Sequence, residues 1–209
     1  QAVQANSERS ITDETLLREK FLEAEQAVKL PALLNWEVRR EDHLQQLLTT
    51  LKKPAFWPAD ATPIATEQRF EGQWQGLKVT GRIDRIDETP SGLVLIDYKT
   101  GGSAPKGIKD ANGKVKIDLQ LPLYRDIVTA LYPEQSVIDT QYFSLKTGGK
   151  LPGSSKPPSP DLPTAIENCK SALHTGNYPV QPDAKQDACT YCDFDLVCRQ
   201  GSRLARKEN

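Results

Sequence analysis

The stretch "GRIDRIDETPSGLVLIDYKTG", residues 81–101, decides the fold. Two short apolar runs flank "ETPSG", a cluster of turn-forming residues, so the segment reads as an antiparallel β-hairpin. With the turn centred between Pro90 and Ser91, Asp84 faces Asp97 across the pair. Directly opposed Cβ atoms lie about 4.5–5.5 Å apart, and like charges placed there destabilise a sheet. Asp97 and Lys99 are two residues apart and project from one face, whereas Val94, Ile96 and Tyr98 project from the other. Two carboxylates and an ammonium therefore converge on a sheet face, where burying a charge is costly.

Two readings account for that convergence. One is a salt-bridged patch at a strand end. The other is a divalent-metal site beside a catalytic lysine. A hard cation such as Mg²⁺ takes carboxylate and carbonyl oxygens, so it turns repulsion between Asp84 and Asp97 into shared ligation, with the Tyr98 carbonyl between them as a further donor. Glu67, in the strand-like "TEQRF" before a turn near Gly72–Gly76, is a third acid. It either serves a second metal or a metal-bound water, or pairs with Arg69 or Arg82.

Outward from this hairpin the pattern mixes helices and strands. Apolar residues recur at helical spacing from Thr12 to Leu30 (Leu16, Leu17, Phe21, Leu22, Ala24, Val28) and again from about Pro31 to Lys53. After the hairpin come a polar loop through residue 116, a helix in "IDLQLPLYRDIVTALY", a strand in "SVIDTQYFSL", a long loop, and a helix in "DLPTAIENCKSALHTG" with Gly176 as its αL cap. The expected fold class is α/β, a central mixed sheet flanked by helices. A single domain is expected, with a helical lead-in (1–60), a core (61–175) and a cysteine-bearing tail (176–209).

The 209 residues are enough for a sizeable core, and 37% hydrophobic with 26% charged residues reads as globular, with no membrane span. A net charge of -1 speaks against a protein that merely coats nucleic acid, but not against a nuclease whose carboxylates offset its lysines. The chain opens at Gln1 and has no methionine, so it reads as a piece of a longer protein. Its 4 cysteines are too few for a disulfide scaffold. Three of them, Cys189, Cys192 and Cys198, form C-x-x-C-x5-C, which points to zinc or an iron–sulfur cluster in a reducing compartment, hence the cytoplasm. Cys169 shares a helical stripe with Leu162, Ile166 and Leu173 and reads as a core residue.

Gln120 and Tyr124 lie on one helix face. Pro122 places them in a first turn, with Asp118 as the N-cap, where a helix end favours phosphate. Lys106 and Lys109 belong to a lysine-rich run between this helix and the hairpin, suited to a strand backbone. Arg82 is read on the Asp84 face, against phosphate or holding the acids.

"GRIDRID", "DYKTG" and "QLPLY", in this order and spacing, resemble the PD-(D/E)XK nuclease superfamily. The likeness is to its RecB-like branch, and within that to the carboxy-terminal nuclease domains of AddB-type helicase–nuclease proteins. The resemblance implies a restriction-endonuclease-like core and Mg²⁺- or Mn²⁺-dependent hydrolysis of DNA phosphodiesters. It matches Asp84, Asp97 and Lys99 to the metal and catalytic positions, and Gln120 and Tyr124 to the family's helix motif. The family's helix histidine has no good match, since His43 lacks the expected flanks and reads as a solvated residue. The cysteine tail is similar to the iron–sulfur staple of AddB-type and CRISPR adaptation nucleases. That similarity implies a [4Fe–4S] cluster completed by a cysteine upstream of residue 1. The implied setting is DNA repair alongside a helicase domain or subunit. The rival functions are a non-catalytic nucleic-acid-binding module and a metal-stabilised interaction domain.

Overall fold

A computed structural model describes residues 13–28, 33–105, 107–109, 116–154 and 156–177. The chain divides into two compact units, Gln1–Lys106 with Asp118–Pro158, and Gly107–Ile117 with Ser159–Asn209.

The first unit opens with helices α1 (Glu14–Val28) and α2 (Trp36–Leu51). They are tied by Arg18, which donates to both carboxylate oxygens of Glu41 at 2.8 and 2.6 Å. Only part of each predicted apolar stripe is used. Leu17, Leu44, Leu48 and Leu51 enter a core, while Leu22, Val28, Leu34 and Val38 are exposed. A long hairpin follows, β1 (Thr62–Trp74) and β2 (Leu77–Thr89), closed by Gln75 and Gly76 at φ 51° and 80°. Two consecutive positive φ values match the tight turn whose twist suits antiparallel strands. Strand β3 (Gly92–Lys99) then pairs with β2 in the expected register, Thr89 with Gly92 through Arg85 with Ile96.

The second unit holds the two-residue strands β4 (Ile108–Lys109) and β5 (Lys116–Ile117), paired with each other, and helix α4 (Leu162–Thr175), which ends at Gly176 with φ 67°. The β4–β5 ladder lies in a segment whose polarity and glycines suggested only a loop. Cys169 was expected in the core but is exposed, as is Leu173 at 61%. The buried residues of α4 are Leu162 and Ile166, so the stripe is buried over its first turns only.

Back in the first unit, α3 (Gln120–Leu131) leads to β6 (Val137–Ser144), which runs parallel to β3. β7 (Gly149–Lys150) adds a short antiparallel edge inside what the sequence presented as a loop. The sheet order is β1-β2-β3-β6-β7. A parallel pair needs a crossover and cover on both faces, and both are present. On one face Ile86, Leu93 and Leu95 pack with Tyr124, Ile127 and Val128 of α3. On the other, Ile96 and Phe143 pack with Phe56 and the α1–α2 leucines. The mixed sheet flanked by helices is the expected class.

Candidate active site

The β2–β3 ladder stops at Arg85–Ile96, one residue short of the Asp84–Asp97 pair. There the strands part, and the Asp84 carboxylate takes over the role of a ladder carbonyl. Its Oδ2 accepts the backbone N–H of Tyr98 at 2.8 Å. Asp97, on β3, is buried, at 3% exposure. Its Oδ1 accepts a hydrogen bond from Gln120 Nε2 at 2.6 Å. Its buried Oδ2 forms an ion pair with Lys99 Nζ at 2.7 Å and has no other partner among the described residues. Burial pushes the Asp97 carboxyl above its usual range; the Lys99 ammonium opposes the rise, and the charges of Asp84 and Asp118 add to it.

Gln120 organises the rest. Its Oε1 accepts from Lys99 Nζ at 3.1 Å, and its Nε2 also reaches the Tyr124 hydroxyl at 2.9 Å. Tyr124 in turn donates to the carbonyl of Arg82 at 2.9 Å, so one chain of hydrogen bonds joins α3 to β2 and β3. Burial raises the Tyr124 hydroxyl, so it stays a neutral donor. The helix cap position is Leu119, one residue past the expected Asp118, yet Asp118 Oδ1 does accept the Gln120 N–H at 2.9 Å. The same oxygen accepts from Tyr142 at 2.8 Å, and Lys99 Nζ lies 5.0 Å from the centre of the Tyr142 ring. Tyr142 and Asp118 thus brace Lys99 and the helix start. The sequence offered no signal for Tyr142, because the parallel register that sets it beside Asp97 exists only once β3 and β6 are paired.

Behind Asp97 and Lys99, Tyr98 points to the other face. Its ring stacks on Phe56 with centroids 5.6 Å apart, and its hydroxyl accepts from Arg85 at 3.3 Å. Arg85 is 1% exposed. It donates to both oxygens of buried Asp87 at 2.6 and 2.5 Å and to the Phe56 carbonyl, and it lies over the Trp57 ring. Through Arg85 this buried pair ties β2 to the Phe56 carbonyl and to the Tyr98 hydroxyl of β3; sequence reasoning did not mark it as a site feature.

Glu67 stands opposite Asp84 by count, between the pairs Thr66–Arg85 and Gln68–Ile83, but is not itself paired, and its φ is 55°. Ile83 and Ile86, three residues apart, share one core cluster, as do Phe70 and Ala65, five apart. Strict alternation would put each pair on opposite faces, so both strands slip by one residue at the level of Glu67 and Asp84. Arg82 therefore does not share a face with Asp84 by simple alternation, correcting the sequence reading. Its guanidinium is 2.6 Å from Glu67, one of the two pairings open to that acid. Cys189, Cys192, Cys198 and Lys106 lie outside the described residues, as does the Lys109 side chain. His43 is exposed on α2, as expected.

The family model for the PD-(D/E)XK nuclease superfamily matches residues 1–199. The chain belongs to that superfamily. No curated protein gives a significant match to it. PD-(D/E)XK proteins are generally nucleases and typically use Mg²⁺ or Mn²⁺, and the fold implies a DNA substrate. In this PD-(D/E)XK chain the tripeptide Asp97-Tyr98-Lys99 has the acid-x-lysine form of the name. Among the described residues no group of three or more His, Cys, Asp or Glu forms a ready cage for a metal. Asp84 and Asp97 fit a different kind of ion, one held by one or two carboxylates that keeps several waters. The buried Oδ2 of Asp97, which faces the Lys99 ammonium and takes no other partner among the described residues, supports this fit.

Proposed function

We propose that this chain is a Mg²⁺- or Mn²⁺-dependent deoxyribonuclease domain of the RecB-like branch, similar to the nuclease domains of AddB-type proteins. It works within a larger cytoplasmic DNA-repair helicase–nuclease. The single observation behind the reading is the chain of hydrogen bonds that holds Lys99 and Gln120 against buried Asp97, whose Oδ2 faces the Lys99 ammonium alone. Asp84, Asp97 and the Tyr98 carbonyl would hold the cation, which supplies water activation and charge neutralisation at phosphorus when bound.

The chain's own groups do the rest. Lys99 places an ammonium where negative charge grows on the phosphate as the nucleophile attacks. Gln120 fixes that ammonium through its carbonyl, and Tyr124 fixes Gln120, so neither reorganises during the reaction. Glu67 orients water. The start of α3 presents its positive end to the substrate, and Arg82, Lys106 and Lys109 contact the strand backbone. The domain comprises the helical lead-in, core and tail outlined above. Cys189, Cys192 and Cys198 bind a [4Fe–4S] cluster together with an upstream cysteine. Iron and acid-labile sulfide in anaerobically purified protein support the cluster, and stoichiometric zinc refutes it.

The deciding experiment is Mn²⁺-dependent cleavage of labelled DNA. Asp84→Asn and Asp97→Asn should each abolish it while circular dichroism stays native. Full activity of either variant sinks the reading.

A further inference from the structure

β1 and β2 pair over their whole length, Thr62–Glu88 to Trp74–Leu77, but β2 meets β3 only from Arg85 to Thr89. Residues 67–84 therefore run on past the sheet as a two-stranded ribbon. One face of that ribbon is covered by α3. Phe70 packs edge-on against Tyr124, a Cβ on Gly72 would lie 3.5 Å from Ile127 Cδ1, and Trp74 Nε1 donates to Asp126 at 2.7 Å.

Beyond the slip at Glu67 and Asp84, alternation turns Arg69, Glu71, Thr80 and Arg82 to the opposite face. All four are exposed, and they line a groove of about 600 Å³. In this groove Arg69 stands directly across from Arg82. Like charges in that position work against the pairing of strands. Glu71 does not relieve them, because its carboxylate goes to Lys78 at 2.7 Å. Glu67 neutralises Arg82, but only from a left-handed backbone conformation that costs a non-glycine residue energy. Among the described residues the Arg69 side chain has no hydrogen bond or ion pair. The ribbon thus holds a two-guanidinium site with one intramolecular anion where two positive charges stand. Arg82 is two residues from Asp84 on β2, next to the slip.

We propose that Arg69 and Arg82 clamp a backbone phosphate of the DNA strand beside the one that is cut, and that this phosphate displaces Glu67 from Arg82. Guanidinium groups suit the task because their planar fork grips phosphate oxygens in pairs. The displaced Glu67 is then free to turn toward the cleavage centre, so engagement of the strand and completion of the site are one event. This inference rests on the nuclease reading above and adds Arg69 and the exchange of partners to it.

The test measures binding of a fluorescent DNA with duplex and single-stranded parts, in EDTA, across a series of salt concentrations. Arg69→Ala should lower the slope of log affinity against log salt by about one, the loss of one phosphate contact. Lys20→Ala, on α1 where the ammonium pairs with Glu23 at 2.8 Å, should leave the slope as it is. Glu67→Gln should bind more tightly than wild type, and that gain should vanish when Arg82→Ala is added. An Arg69→Ala slope equal to wild type, or no gain from Glu67→Gln, overturns the clamp. Mn²⁺-dependent cleavage of the same DNA by wild type separates the two readings. Cleavage with an unchanged Arg69→Ala slope sinks the clamp alone. No cleavage with the slope change intact sinks the nuclease and supports the clamp. Neither binding nor cleavage sinks both.

Discussion

Lys99 is the side chain on which an enzyme and a binder differ. Its ammonium is held by Asp97 at 2.7 Å, by Gln120 at 3.1 Å and by the face of Tyr142. A group fixed so tightly contributes little adaptability to binding, but it meets new charge at no reorganisation cost. Lys99→Ala should therefore slow single-turnover cleavage by about 10²–10³, with DNA affinity nearly unchanged. Cleavage at the wild-type rate on saturating DNA would make Lys99 an ordinary phosphate contact. Arg85 carries a different burden at the same scale. Removing it leaves the Asp87 carboxylate buried and unpaired, so Arg85→Met should destabilise the fold by about 3–5 kcal/mol. Adding Asp87→Leu should restore most of that loss in urea unfolding, because a matched apolar pair no longer buries a lone charge.

Among the elements, strand β2, paired with β3 on one side and β1 on the other, shows what local chemistry announces and what it hides. The turn at Pro90–Ser91 and the register that follows could be read directly, because turn residues and two-residue alternation are properties of adjacent positions. The slip at Glu67 and Asp84 could not, because it is set by which residues reach the α3 core: Ile83 and Ile86 both do. The same reason hid Tyr142, the Arg85–Asp87 pair and the β4–β5 ladder, each defined by a partner distant in sequence or by the backbone alone. Leu22, Val28, Cys169 and Leu173 erred the other way: helical spacing marks a stripe but not how far along it a neighbour extends. The slip also stores strain. Glu67→Gly should make the protein about 0.5–1 kcal/mol more stable, the left-handed penalty less the freedom glycine gives the unfolded chain. It should also slow cleavage. A loss of stability would mean that the Arg82 pair outweighs the backbone term.

For the whole molecule, the buried acid sets a balance between stability and activity. Asp97 is held above its usual carboxyl range, so the folded state binds its proton more tightly than the unfolded state does. Without metal, stability should therefore rise as pH falls from neutral through that raised value, a gain that Asp97→Asn should lack. At neutral pH Asp97→Asn should melt no lower than wild type. Added Mn²⁺ should raise the melting temperature of wild type by mass action but not that of the variant. Equal Mn²⁺ stabilisation of both would move the cation elsewhere. The choice among cations follows from the two carboxylates. Asp84 has committed Oδ2 to the Tyr98 amide, and Asp97 has committed Oδ1 to Gln120. The other oxygen of each is the more open to an ion, that of Asp97 beside the Lys99 ammonium, and a grip by both oxygens would compete with a bond that holds the strands or α3. If these two acids hold the ion, as proposed, calcium, which gathers about six to eight oxygens and often takes a carboxylate at both ends, should be disfavoured against a small octahedral ion that is content with single-oxygen contacts. On the proposed metal reading, the choice of ion would then be set by hydrogen bonds behind the carboxylates rather than by the width of any cavity. Mg²⁺ and Mn²⁺ should raise the melting temperature at concentrations where Ca²⁺ leaves it unchanged.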